Sequence, residues 1–134
     1  MSMSVPNELC MLAGAALVGL LTLVWATVAG ASQRPLSWLA GPRDDAQPPL
    51  TGMAGRLTRA YANFMETFPL FATFLLVAWL AGDLGPLTHW GAALYVAARA
   101  LYVPLYAWGV KGLRTVVWVA ALVGLLMVLA ALVL

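Results

Sequence analysis

The chain has 134 residues, of which 63% are hydrophobic and 9% charged, with a formal net charge of +2. A soluble domain carries about 25% charged residues, so the composition excludes an ordinary globular protein, and its apolar content excludes intrinsic disorder. Seven Lys+Arg against five Asp+Glu is too little basic charge for a nucleic-acid binder, while a single cysteine (Cys10) and a single histidine (His89) leave no internal disulfide, metal cluster or Ser-His-Asp site.

In chain order, the gaps between charges mark the spans. Some 25 uncharged residues separate Glu8 from Arg34, and a helix needs about 20 to cross a bilayer. We read a transmembrane helix over about 9–32. Ala29-Gly30-Ala31 resembles a signal-peptide cleavage site, but no Lys or Arg precedes the run, and it exceeds the usual apolar length. Gly14, Ala15, Ala16 and Gly19 suit close helix packing, and Cys10 reads as a small packing residue. The connection over about 33–54 carries Pro35, Pro42, Pro48 and Pro49 with Arg43-Asp44-Asp45, which predicts a long loop.

A second helix is expected over about 55–81, interrupted in polarity by Asn63 and Glu66, and a third over about 87–108, interrupted by His89 and Arg99. The turn Gly82-Asp83-Leu84-Gly85-Pro86 between them is a tight hairpin. Thr115 to Leu134 is uncharged and forms the fourth span, about 115–134. Pro69 and Pro104 read as kinks, and His89 as an interfacial residue. The fold class is thus all-α: a single membrane domain over 1–134, built as a bundle of four transmembrane helices.

Lys and Arg set the orientation. Arg34, Arg43, Arg56, Arg59, Lys111 and Arg114 all fall in or beside the 1–2 and 3–4 connections, and none lies in the hairpin or at the termini. This places the long loop on the cytoplasmic side of the cell (inner) membrane, with both termini outside. Trp79 and Trp90 then sit at the outer interface, and Trp38, Trp108 and Trp118 at the inner one.

Ionisable residues inside a membrane are costly and normally face a cavity or a partner. At 100° per residue, Arg56, Arg59, Asn63 and Glu66 fall within an arc of about 80° on the second helix. Tyr95, Arg99, Tyr102 and Tyr106 fall within about 60° on the third. Counted from Leu84, Glu66 and Arg99 differ in depth by only about 5 Å. The two stripes can therefore face each other, or meet across a subunit boundary, and build one polar pocket opening to the cytoplasm. A bare Glu66–Arg99 ion pair is the simpler alternative.

These residues carry a resemblance. Arg59-Ala60, Asn63, Glu66 and Pro69 are similar to the helix 2 signature R-A-x-x-N-x-x-E-x-x-P of the MAPEG family, membrane-associated proteins in eicosanoid and glutathione metabolism. Pro48-Pro49-Leu50-Thr51-Gly52 resembles the 1–2 loop of its leukotriene-synthase branch. Tyr95, Ala98-Arg99, Tyr102 and Tyr106 resemble its element Y-x-x-A-R-x-x-Y-x-x-x-Y. The resemblance implies a homotrimer with glutathione bound between neighbouring subunits near the cytoplasmic side. It implies that Arg59 and Asn63 hold glutathione, that Glu66 faces its amino group, and that Arg99, Tyr102 and Tyr106 complete the pocket from the adjacent chain. Arg34 matches a helix 1 arginine that helps to bind it. Arg114 resembles the arginine that activates the thiol. Thr67 stands where the synthase has a tyrosine, Tyr61 where it has a glutamine, and Arg114 lies one residue later from Tyr106.

The chemistry expected from that resemblance is a membrane-embedded glutathione transferase or peroxidase. Arginines suit the two carboxylates of glutathione and Glu66 its ammonium. Arg114, aided by a hydroxyl of Tyr102 or Tyr106, would favour the thiolate for attack on a lipophilic electrophile reached from the bilayer. Glutathione enters as co-substrate, and no metal is expected. A non-catalytic member of the family binding a lipid or a partner, and a proton-coupled exporter using Glu66, are the alternatives. Four arginines around Glu66 disfavour the exporter.

Overall fold

The computed structural model describes residues 4–134 and is all-helical. Five helices follow in order: α1 (Asn7–Ala31), α2 (Leu36–Ala40), α3 (Gly52–Ala81), α4 (Pro86–Ala107) and α5 (Leu113–Val133). α1, α3 and α5 are each long and apolar enough to cross a membrane. α4 matches them in length but carries His89, Arg99 and the tyrosines, and does not reach that composition. The four long helices begin and end within about a turn of the expected helix bounds. The 33–54 segment differs, because its beginning winds into α2 rather than running as loop throughout.

α3 begins three residues earlier than expected. Its start is anchored from outside the helix: the Gln33 side chain accepts from the Thr51 N–H at 3.0 Å and donates to the Thr51 carbonyl at 2.9 Å. At the other end, Gly82 takes a left-handed conformation (φ 77°) that a side chain would disfavour, and Asp83 N–H returns to the Ala78 carbonyl. α4 restarts at once, with Pro86 in its first turn. The Thr88 hydroxyl accepts from the Gly85 N–H at 2.8 Å and so satisfies a donor at the helix start. The hairpin therefore reads as expected, and it sets α3 and α4 antiparallel.

α3 and α4 form the central pair, with α1 packed on one side of them and α5 on the other. Between apolar helices in lipid, close packing replaces the hydrophobic drive, so small residues decide where backbones meet. The tightest approach joins α4 to α5. A Cβ on Gly91 would lie 2.8 Å from the Gly124 carbonyl, and one on Gly124 would lie 2.7 Å from the Tyr95 backbone nitrogen. On α1, a Cβ at Gly19 would meet the Phe64 ring at 2.5 Å, so this glycine admits the aromatic residue of α3. Ala15, Phe71, Leu75, Ala92, Tyr95, Ala98, Ala121, Leu125 and Val128 make the main core, with Phe71 and Tyr95 stacked at 4.0 Å. Cys10 corrects its expected role. It is exposed, because the buried face of α1 runs through Glu8, Ala15, Gly19, Thr22 and Ala26. His89 lies 3.7 Å from Glu8 and ties the starts of α1 and α4 together.

Candidate functional site

On α3, Arg59, Asn63 and Glu66 lie along one side of the helix; on α4, Tyr102 and Tyr106 are one turn apart. The first turns of α5 bring Arg114, Thr115 and Trp118 to the same place. Together these residues line a cavity of about 460 Å³. That is within the range of small-molecule sites, about 300–1,000 Å³. Six of the eight residues singled out from the sequence thus meet in one chain: Arg59, Asn63, Glu66, Tyr102, Tyr106 and Arg114. Tyr102 and Tyr106, expected from the adjacent chain, share a cavity with Arg59, Asn63 and Glu66 because the α3–α4 hairpin packs the two helices together.

Arg99 is brought close but does not line the cavity. It is 1% exposed and lies behind the wall. Its Nη1 donates to Asn63 Oδ1 at 2.7 Å, and its Nη2 donates to Thr67 Oγ1 at 2.6 Å and to the Asn63 carbonyl at 3.4 Å. The rings of Tyr95 and Tyr102 flank the guanidinium at 5.7 and 5.3 Å. Thr67 and Tyr95 share a further hydrogen bond of 2.9 Å. No ion pair joins Arg99 to Glu66. The reason is helical geometry: Asn63 and Thr67 are one turn apart and share the side facing α4, whereas Glu66 points off that side and is exposed. Thr67 supplies an acceptor that this buried charge requires. Because Asn63 Oδ1 is occupied by Arg99, its Nδ2 is turned toward Glu66, at 3.5 Å from Oε2.

At the mouth, Tyr106 is held by two cations. Arg59 Nε donates to its hydroxyl oxygen at 3.2 Å, which leaves the O–H free to donate elsewhere. The Arg114 guanidinium lies over its ring at 4.5 Å, the shortest cation–ring contact among the described residues. The cavity wall therefore presents guanidinium, hydroxyl and amide donors around a single carboxylate, Glu66.

Arg56 shares the helix 2 stripe in projection but leaves the cavity. Its Nε donates to the Ala107 carbonyl at 2.8 Å, one of the acceptors that a helix C-terminus leaves open. Arg34 lies elsewhere again. It lines a separate groove of about 350 Å³ with Trp38, Arg43, Leu50 and Tyr61, its guanidinium 5.6 Å from the Trp38 ring. Trp118 was read from the sequence only as an interfacial anchor. It lines the cavity, and its position one helical turn after Arg114 was the available signal. Its indole N–H and the Arg99 Nε are buried without a partner. Among the described residues, no three His, Cys, Asp or Glu side chains are brought together.

A sequence model of the MAPEG family matches residues 11–134, nearly the whole chain. No curated protein matches it.

Proposed function

The chain belongs to the MAPEG family, and from that premise we propose that it is a four-span, homotrimeric membrane enzyme that activates glutathione for transfer to lipophilic electrophiles, or for peroxide reduction. One observation carries this reading: a 460 Å³ cavity whose wall sets Arg59, Arg114, Asn63, Tyr102 and Tyr106 around the lone carboxylate Glu66. Glutathione carries two carboxylates, one ammonium and a thiol. Arg59 and the Asn63 amide complement a carboxylate, and the exposed Glu66 complements the ammonium. Arg99 supports this binding from behind by fixing the Asn63 amide, rather than by contact. Arg34, remote from the cavity of its own chain, would reach glutathione only across a subunit boundary.

The thiol becomes a nucleophile only as thiolate. Lowering its pKa from about 8.5 to about 6.5 takes roughly 2.7 kcal/mol of preferential stabilisation. A guanidinium at contact distance supplies about 4 kcal/mol at an effective dielectric near 20. Arg114 is the cation for that task, with the free O–H of Tyr106 as a hydrogen-bond donor to sulfur. An apolar electrophile would arrive from the lipid beside α5. The sulfur–carbon bond forms as the bond from that carbon to the leaving group, or to a ring oxygen, breaks, and the departing atom takes up a proton that balances the one released by the thiol.

Calorimetric titration of the detergent-solubilised chain with glutathione tests the binding. Saturable binding supports the reading, and its absence removes it. Saturable binding with no thiolate in the ultraviolet spectrum would replace the transferase by a non-catalytic binding protein. Native mass spectrometry should give three chains per particle. In a Cys10→Ser background, Asp45→Cys and Gly112→Cys should react with impermeant thiol reagents from the cytoplasmic side only, and Leu84→Cys from the outside only.

A further inference from the structure

A second cavity of about 320 Å³ adjoins the first at the α4–α5 turn, lined by Arg56, Arg59, Tyr106, Gly109, Lys111 and Arg114, among others. Four of its residues are cations, and no carboxylate lines it. The only acid–base pair within ion-pair distance among the described residues is Glu8–His89, on helix starts that lie away from this turn. Each cation keeps donors to spare. Arg56 and Arg59 spend Nε on the Ala107 carbonyl and on Tyr106, which leaves their outer nitrogens open. Arg114 lies on the Tyr106 ring, and Lys111 is exposed. The backbone N–H groups of Lys111, Gly112 and Arg114, around the start of α5, find no backbone partner.

Orientation of the chain in a membrane accounts for the number of basic residues on this side, but not for their convergence on one cup. Four like charges this close repel one another, so the arrangement is favoured when an anion sits among them. One carboxylate, with two oxygens, would leave most of these donors without an acceptor. A tetrahedral oxyanion offers several acceptor oxygens and up to two charges, and three guanidiniums, an ammonium and backbone amides are the donors that suit it. We infer that this cup binds a phosphate group, separately from the cavity assigned to glutathione. The group belongs either to a soluble phosphorylated anion or to the headgroup of an anionic phospholipid. Arg59 and Arg114 line both cavities, whereas Arg56 and Lys111 line the cup alone, so variants at those two residues test the cup whether or not glutathione binds next door.

The test uses the full chain in neutral detergent and two probes: inorganic pyrophosphate, followed by calorimetry, and phosphatidylglycerol, followed by retention in native mass spectrometry. Pyrophosphate binding that weakens at least about tenfold in an Arg56→Gln/Lys111→Gln variant identifies a soluble anion as the source. Retention of phosphatidylglycerol alone, lost in the same variant, identifies the lipid headgroup. Lys111→Gln by itself lies in an exposed turn and keeps the test open should the double variant fail to insert; it should weaken binding severalfold. Arg43→Gln removes a basic residue of the α1–α3 connection, outside the cup, and should change nothing. The inference is overturned if neither probe binds the wild-type chain, or if Arg43→Gln weakens binding as much as the cup variants do.

Discussion

The wall and the mouth of the candidate site use the same residue type to opposite ends. Behind the wall, Arg99 is buried and spends its two terminal nitrogens on Asn63 and Thr67, with two tyrosine rings beside it. At the mouth, Arg59 and Arg114 are held only by Tyr106 and keep donors free. The difference lies in surroundings, not in chemistry. A guanidinium sealed among helices takes the hydrogen bonds it makes from the protein, and so becomes a structural and positioning group. One that solvent or a ligand can reach is left free to bind.

The largest effect that would break this comparison is expected at Arg99. Arg99→Ala leaves Asn63 Oδ1 and Thr67 Oγ1 without their donor and opens a void, at a cost of about 3–5 kcal/mol. It should reduce the yield of folded protein in detergent and abolish glutathione binding, measured by size-exclusion recovery and calorimetry. A well-folded Arg99→Ala chain that binds normally would erase the distinction between wall and mouth.

Next comes Arg114→Ala. It should fold normally and still bind glutathione, yet lose the thiolate absorbance and about 10²-fold in conjugation rate, the scale of roughly 2.7 kcal/mol. An unchanged thiolate signal would transfer the activating role to Tyr106, which Tyr106→Phe would then report.

Thr67→Val keeps the shape but removes a hydroxyl that bridges Arg99 and Tyr95. About 1–3 kcal/mol of stability should be lost, with a weaker effect on glutathione affinity that follows the loosened Asn63 amide. Thermal unfolding in detergent checks the first, and titration the second. A neutral result would show that Arg99 is held by Asn63 and the tyrosine rings alone.

The smallest effect is expected away from the site, at the Glu8–His89 contact. Its side chains are 11% and 34% exposed, so Glu8→Gln should cost no more than about 1 kcal/mol and leave both ligand titrations unchanged. A larger effect on binding would couple the two ends of the bundle.

Much of this was legible because membrane chains write polarity sparingly. In a sequence that is 9% charged, Arg59, Asn63 and Glu66 at helical spacing opposite Tyr102 and Tyr106 define two stripes at matched depth, and those stripes do line one cavity. The hairpin was equally readable, since Gly82 and Pro86 have local backbone requirements that neighbours do not override. The partner of Arg99 was not readable. Charge alone suggests Glu66, and only the rotation of α3 against α4 selects Asn63 and Thr67. The turn α2 was hidden among four prolines.

By itself, then, the sequence determined the apolar spans, the side that bears the basic residues, and which side chains share a helical face. These follow from composition, from the periodicity of the helix and from the length needed to cross a bilayer. Tertiary structure alone decided which of those side chains are sealed and which stay open. It did so through contacts between residues far apart in sequence: Gly91 against Gly124, Gly19 against Phe64, Arg56 against the end of α4. Such contacts depend on how closely and at what rotation helices pack, which is set by small residues on both partners at once and so is written on no single segment.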